Sequence, residues 1–477
     1  MKSIKLRGIV AAVSGAVMFG AAVPAMADST DDVINALIAK GVLTEEEGAL
    51  LMKGRAGEKE AAAKKKESAI SASFKDGIVF ESGDKQTKFS INGRIQEDYR
   101  SFSDAVTNNQ TDTWDTRRAY LTAKGTFYDT IDFEVTYNGA SSASDLQYAW
   151  LNARYWDEAQ FKFGQFKEPM GLEELGSSRF TNFTERSYAM QLVPATSRGG
   201  QFHGNYSGLT YALGMFNGVG VNGGQNTNDT AVENDGKSYS GRVTANIAQF
   251  MDIKDAVYHI GASYGDSRDN GSNSAIALRT EARGTNVLQT NTLNLGYDIK
   301  RTGLEGAVAY GPVKFQAEWL KAKFEADGDK TLVVGGTAGD KDITSWNVQL
   351  NWLVTGEPYA DTYKNGMFGG RIKPKADFNP RAGLKGWGAW DIGVRYSKFD
   401  ATDFEAKDTV DVYSGTIQAE NGEFNESDAW TYGVKWIPNP NTRFILDYID
   451  TNMDCVSGVV CTKDDEKAIN FRAQFDF

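Results

Sequence analysis

The sequence predicts an all-β membrane protein: a sixteen-stranded antiparallel transmembrane β-barrel preceded by a short N-terminal helical segment. Three observations predict it. The chain opens on an export signal, then alternates apolar and polar residues in segment after segment, and closes on an alternating segment rich in phenylalanine. Alternation matters because successive side chains of a strand point to opposite faces. A closed barrel is the only sheet that leaves no unpaired edge in hydrocarbon.

The export signal comes first. Lys2, Lys5 and Arg7 form a basic start, residues 8–27 are uncharged, and Ala25-Met26-Ala27 before Asp28 makes a small-residue cleavage site. That is the layout of a secretory signal peptide, expected over residues 1–27 and handled by the Sec pathway. Its removal takes away three positive charges and no negative ones, moving the net charge from −12 to −15. After Ala27 no stretch approaches the roughly 20 apolar residues of a membrane helix. Barrel strands escape that test, because alternation averages their hydropathy away. The exported chain is therefore periplasmic, extracellular or an outer-membrane barrel of a Gram-negative bacterium, and the alternation selects the last. Fifty glycines against nine prolines fit a chain of strands and turns, and 12% aromatics can supply interfacial girdles. With only two histidines there is little material for metal sites or imidazole catalysis, so neither metal nor cofactor is expected. The expected partners are membrane lipid and lipopolysaccharide, and the barrel-insertion machinery; no nucleic acid is expected.

Residues 28–73 read as a periplasmic helical segment and linker. Val33, Ile34, Leu37 and Ile38 recur at helical spacing, and Gly41 ends the run. Thr44 followed by Glu47 forms a capping box for a second short helix carrying Leu50, Leu51 and Met52. Residues 58–67, with Lys64-Lys65-Lys66, are alanine-rich, charged and too polar to build a core. They read as a solvated linker, with a coiled coil at an oligomer axis as the alternative.

From Phe74 to Phe477 the period becomes two. Residues 130–138 set Ile131, Phe133, Val135 and Tyr137 against Asp132, Glu134, Thr136 and Asn138. Residues 345–352 set Trp346, Val348, Leu350 and Trp352 against Asn347, Gln349 and Asn351. Residues 313–318, 389–397 and 429–436 repeat the pattern. Sixteen or seventeen such segments occur, residues 291–310 reading as one bent strand or two; single-chain bacterial barrels have an even number, which gives sixteen. Tyr128-Asp129 and Asp157-Glu158 are expected as short periplasmic turns, and residues 218–236 and 326–342 as external loops. Sixteen strands enclose an aqueous lumen, whereas eight would be filled by side chains.

In the last segment Ile469, Phe471, Ala473, Phe475 and Phe477 share a row, expected to close the barrel against residues 87–95. Phe471, Phe475 and Phe477 resemble the C-terminal signal by which outer-membrane proteins are recognised for insertion. Cys455 and Cys461, with Gly458 between them, are expected to pair in an oxidising compartment, closing a small loop that contributes about 2 kcal/mol.

Residues 168–198 are the longest run without alternation in the first part of the barrel, and long unstructured segments are uncommon unless functional. In a wide barrel such a segment is placed to fold inward and narrow the lumen. Its candidate lining residues are Glu173, Glu174, Ser177, Ser178, Arg179, Glu185, Arg186 and Arg198. Strand parity puts Arg118, Tyr120, Thr122 and Lys124 on the lumen side, and leaves Arg117 on the apolar row with Ala119 and Leu121. Arg94, Arg154, Lys162 and Lys167 complete the candidate channel-lining cations. Guanidinium forks match phosphate oxygens.

Several motifs carry a family likeness in combination. They are Thr116-Arg117-Arg118-Ala119-Tyr120-Leu121, Gly164-Gln165-Phe166-Lys167-Glu168-Pro169-Met170-Gly171-Leu172-Glu173, Glu185-Arg186, Gly388-Ala389-Trp390 and the terminal Arg472-Ala473-Gln474-Phe475-Asp476-Phe477. Together they resemble the phosphate-selective porin O and P family. The resemblance implies a homotrimer of sixteen-stranded barrels, with lumenal arginines and lysines passing small anionic or neutral solutes towards a constriction. The chain departs from the family pattern at Glu173-Glu174, where lysines would be expected. It departs again at Gln147-Tyr148-Ala149-Trp150, which lacks the acidic residue before Ala. Between Arg94 and Arg198 there are 11 basic and 15 acidic residues. Charge rings of one sign set pore selectivity, so the residues leave two readings open: an anion channel for solutes such as phosphate, or a general or weakly cation-selective porin. A third, an outer-membrane barrel hydrolase, rests on His203 and Ser207 sharing a strand face.

Overall fold

Sixteen strands pair in an unbroken antiparallel ring in the computed structural model, which describes residues 30–67, 69–74, 77–104, 112–140, 145–194, 196–217, 237–268, 276–290, 297–326, 333–334, 337–405, 408, 424–457 and 464–477. The strands are β1 (Lys88–Asp104), β2 (Thr113–Phe127), β3 (Ile131–Asn138), β4 (Asp145–Trp156), β5 (Ala159–Phe166), β6 (Ser197–Tyr206), β7 (Leu209–Asn217) and β8 (Lys237–Asn246). There follow β9 (Ala256–Ser267), β10 (Tyr297–Tyr310), β11 (Val313–Ala326), β12 (Lys341–Leu353), β13 (Ala389–Asp400), β14 (Phe424–Asn439), β15 (Thr442–Cys455) and β16 (Asp465–Asp476). Each pairs with its sequence neighbour, and β16 pairs back onto β1 from Lys467↔Asp104 to Asp476↔Arg94.

Two details shift the expected outline. The segment 291–310 contributes one strand, β10, which fixes the count at sixteen. The closing pair uses Arg94–Asp104 rather than residues 87–95, because the start of β1 is already taken: a hairpin of Ile70–Phe74 and Ile78–Ser82 pairs along Lys88 to Ile91. Strands therefore begin at Ile70, before Phe74.

The faces sort by polarity. On β1, Ser90, Asn92, Arg94, Gln96, Asp98 and Arg100 are buried while Ile95 is exposed. Around the ring Leu121, Leu151, Phe163, Leu213, Ile260, Leu304, Leu350, Ile392 and Ile469 stand on the outer surface. A soluble sheet would bury that belt; a hydrocarbon surround requires it. Outward aromatics gather at two levels. Tyr396 contacts Trp346 and Trp430 (ring centroids 5.4 and 4.9 Å apart), and six residues along the same strands Trp390 stacks on Trp436 at 5.7 Å. One end of the barrel has tight turns. Tyr128 and Asp129 have φ of 52° and 56°, the left-handed pair of a type I′ hairpin whose twist matches its strands.

The helical unit is separate. It comprises α1 (Thr30–Ala39) and α2 (Glu45–Glu67). Gly41 ends the first with φ 69°. The capping box forms as read: Thr44 N–H donates to Glu47 Oε2 at 2.9 Å, and Glu47 N–H to Thr44 Oγ1 at 3.2 Å. Cys455 is disulfide-bonded. Cys461, the signal peptide and the loop 218–236 lie outside the described residues.

Candidate functional site

Between β5 and β6 the chain leaves the wall and crosses the lumen. Leu172 and Glu173 donate their backbone N–H groups to Glu318 of β11, at 2.7 and 3.0 Å. Asn182 reaches Asp391 of β13 at 2.9 Å, and Thr184 N–H reaches Asp447 of β15 at 2.6 Å. Tyr188 Oη lies 2.9 Å from Ser427 of β14. Phe183 seats its ring in a notch made by Gly393 and Gly433, which face each other in register on β13 and β14. A Cβ on either glycine would stand 3.0 or 2.8 Å from that ring, so the notch exists only because both positions lack one. The Arg395 guanidinium lies over Phe183 at 4.8 Å and donates to the Glu185 carbonyl at 3.0 Å.

Inside this frame the cations sort into two sets. One set is consumed by carboxylates. Arg117 binds Glu185 at 2.7 Å, Arg472 binds Asp98 at 2.6 Å, Arg242 binds Glu305 at 3.0 Å, Arg443 binds Asp476 at 3.0 Å and Lys435 binds Asp391 at 2.8 Å. Arg395 binds Glu281 at 3.1 Å, and Arg154 binds Asp132 at 3.2 Å. Burial alone would push the Glu185 carboxyl up; the charges of Arg117, Arg283 and Arg472 outweigh it and hold it well below the usual carboxylate range.

The other set is held without an acid. Arg94 donates to Ser178 Oγ at 3.1 Å and lies over the Tyr120 ring at 4.4 Å. Arg118 donates to Gln96 at 3.0 Å. The Lys162 ammonium sits 3.9 Å from the Trp150 ring centre and 4.7 Å from that of Phe166. Among the described residues none of these three has a carboxylate partner. Tyr120 itself donates to Gln147 at 2.9 Å. Lys124 stands exposed, opposite Glu134 in register.

The structure moves two of the predicted residues. Arg117 is not on the outer row. Gln96 pairs with Arg118 but Glu97 with Thr116, so Arg117 is the extra residue of a β-bulge and joins Arg118 on the inside. Arg198 is not in the crossing segment; it belongs to β6 and donates to Gln165 at 3.0 Å. Of the remainder, Arg179 binds Asn92 at 2.7 Å, the Ser177 hydroxyl accepts from Arg179 N–H at 3.3 Å, and Arg186 pairs with Glu174 at 2.8 Å. Lys167 pairs with Glu174 at 3.3 Å, and Glu173 accepts from both Ser187 N–H and Oγ at 3.1 Å.

A second inward segment escaped sequence reasoning. Residues 354–388 connect β12 to β13 at the tight-turn end, and a small hairpin, Tyr363–Lys364 with Met367–Phe368, enters the lumen. Tyr359 Oη donates to Asp391 at 2.7 Å, Tyr363 Oη lies 2.7 Å from His259 Nδ1, and Arg242 donates to the Gly366 carbonyl at 2.7 Å. The 35-residue gap between alternating segments was the available signal. Open space remains along β2–β8. Cavities of about 770 and 560 Å³ share Trp150, Lys162, His203 and Lys364, and a third of about 430 Å³ is lined by Arg117, Arg118, Glu174, Glu185, Arg186 and Arg283. Ser207 falls in the turn after β6, and His203 bonds Asn152 at 2.9 Å.

A model of the family described as phosphate-selective porin O and P matches residues 89–477. The chain belongs to that family. It is also 26% identical over 418 residues to Porin O of Pseudomonas aeruginosa, covering 80% of this chain and 87% of that one. Solved outer-membrane structures are similar in outline. OmpT of Vibrio cholerae in its trimer form is 10% identical with a TM-score of 0.47, covering 82% of this chain and 99% of its own. The outer membrane channel DcaP of Acinetobacter baumannii is 10% identical with a TM-score of 0.47, covering 83% and 99%. As a member of that family the chain is an outer-membrane porin, and its lumen is a water-filled channel. In this porin the acidic pair at 173–174 does not project two free charges: Glu174 is held by Lys167 and Arg186, and Glu173 by Ser187.

Proposed function

We propose that this porin passes small anions, phosphate among them, by passive diffusion along the wall formed by β1–β5. The observation that carries the reading is the division of the lumenal cations. Most of those fastened to carboxylates also hold the inward segments, whereas Arg94, Arg118 and Lys162 bond only neutral groups or rings, Arg94 through Ser178 of the crossing segment, and leave their charge for a passing solute. Guanidinium suits phosphate oxygens bidentately, and an ammonium serves as a point charge. The crossing segment 168–196 acts as the constriction, with Arg186 on it and Arg94, Arg118 and Lys167 beside it. The protein works as a homotrimer, is exported through the Sec pathway, is inserted by the barrel-insertion machinery, and carries out no catalysis. Residues 28–73 form a periplasmic segment before the barrel.

The test is the reversal potential of the reconstituted channel under a KCl gradient, repeated with added phosphate. Anion selectivity that drops in Arg94→Gln and Arg118→Gln, together with millimolar block by phosphate, is the expected result. A cation-selective wild type would overturn the reading. Anion selectivity without phosphate block would leave a general anion porin.

A further inference from the structure

Inorganic anions have no use for an aromatic wall, yet the lumen face of β2 and β4 presents Tyr120, Tyr148 and Trp150 beside the unpaired cations. Trp150 stands where the 770 and 560 Å³ cavities meet. Its place is prepared on the neighbouring strand. Gly164 lies directly opposite it, at φ 125°, where a Cβ would come within 2.7 Å of Trp150 Cα. Around the ring run neutral hydrogen-bonding groups, while Asp132 and Asp157 line the larger cavity and Glu134 the smaller, against Arg154, Lys162 and Lys364 in the larger and Lys162, Lys167, Arg242 and Lys364 in the smaller. Asn152 Nδ2 donates to Gln160 at 2.9 Å, Asn152 Oδ1 lies 2.9 Å from His203 Nε2, and Thr210 donates to Asn205 at 2.8 Å. Lys162 lies over the ring, and Lys364 enters the same space from the inward hairpin; among the described residues neither has a carboxylate partner.

Each part alone suits a simpler solute. Cations are enough for phosphate, and a ring with amides is enough for a neutral sugar. Their meeting at one junction suits an anionic group carried on a hydroxylated ring. We infer that this junction is a subsite for anionic sugars of the hexose-phosphate class. The apolar face of the sugar lies against Trp150, its hydroxyls bond to the amide and imidazole groups, and its charge is met by Lys162 and Lys364. The inference rests on the anion-passing reading and narrows its solute class.

The test compares block of single-channel current by glucose 6-phosphate, inorganic phosphate and glucose. Half-block by glucose 6-phosphate is expected at about tenfold lower concentration than by phosphate, with glucose far weaker than either. Trp150→Ala brings the ratio of the two phosphates towards one, and Trp150→Tyr, which keeps a ring, preserves most of it. Equal block by the two phosphates in the wild type overturns the subsite, and so does a ratio unmoved in Trp150→Ala. Block by glucose as strong as by glucose 6-phosphate overturns its anionic character. Should Trp150→Ala fail to insert, the wild-type comparison and Asn205→Leu decide instead. The readings separate cleanly: a cation-selective reversal potential sinks the anion channel, whereas an anion-selective channel with a ratio of one sinks only the subsite.

Discussion

Two segments enter this lumen from opposite ends, and they enter with opposite charge. Residues 168–196 carry Glu168, Glu173, Glu174 and Glu185 against Arg179 and Arg186. Residues 354–388 carry Lys364, Arg371, Lys373, Lys375, Arg381 and Lys385 against Glu357, Asp361 and Asp377. The first is fastened through wall groups of both signs: Arg117 and Arg472 hold Glu185, Arg395 its carbonyl, and Glu318 and Asp447 accept its backbone N–H groups. The second is fastened largely through wall acids, with Asp391 on Tyr359 and Asp476 on Arg371. On the proposed reading, the difference teaches that lumenal selectivity follows chiefly the charges left without a partner rather than the count of charges present. Acids of the crossing segment are spent on holding it, while Lys364 at the tip of the second stays available.

Breaking the first attachment should have the largest effect. Arg395→Ala removes the partner of buried Glu281, a donor to the Glu185 carbonyl and the cover of Phe183. Stranding a buried carboxylate costs about 3–5 kcal/mol, so the temperature of heat-modifiable unfolding on a gel should fall clearly. Single-channel conductance should rise and become noisy as the segment loosens. Conductance unchanged from wild type would mean that the segment is held without Arg395. Next in size is Gly433→Val, whose Cβ would meet Phe183 Cδ1 at 2.8 Å and Asp447 Oδ1 at 2.6 Å. Overpacking of this kind costs about 1–3 kcal/mol. Combined with Phe183→Ala it should cost less than the sum of the two, because the ring that clashes has been removed. Strict additivity would disconnect the notch from the segment.

The same contrast shows what was legible in the residues. Period-two rows, the short turn at Tyr128-Asp129 and the Thr44–Glu47 cap are local signals. The inward role of residues 168–198 could be read from length and missing alternation. Arg117 could not, because parity assumes an unbroken register, and one bulge residue opposite Gln96–Glu97 reverses it. The charge count between Arg94 and Arg198 overstates the lumenal acids for a related reason. It included Glu97, which bonds Thr116 at 3.0 Å on the outer face, and Glu168, which is buried among Ser197, Ser238 and Ser240. Neither faces a solute. The segment 354–388 had the length to be noticed, but its attachments are distant in sequence, such as His259 to Tyr363, and no local period announces them.

A smaller effect tests the second segment by itself. Tyr363→Phe removes the hydroxyl that lies 2.7 Å from His259 Nδ1, worth about 0.5–1.5 kcal/mol. Because Arg242 still holds the Gly366 carbonyl, the hairpin should stay in place, with extra open-channel noise and little change in unfolding temperature. Loss of the open channel altogether would show that the hairpin is the barrel's main support rather than an insert.

The smallest expected effect joins the two regions through pH. Lys167 stands just past β5, where burial, helped by the neighbouring Arg186 charge and opposed by Glu174, pushes its ammonium down to about 7. The charge is therefore present below pH 7 and lost above it, so anion selectivity should fall as pH rises from 6 to 8.5. A unit charge about 4 Å from an ion in water is worth about 1 kcal/mol, which limits the change to a few-fold in permeability ratio. Lys167→Arg, which stays charged throughout, should hold the low-pH ratio across the whole range, and Lys167→Gln should hold the high-pH one. A wild-type ratio that stays flat or rises with pH would remove Lys167 from the charges that the solute meets, leaving Arg94, Arg118, Lys162 and Lys364 to set selectivity.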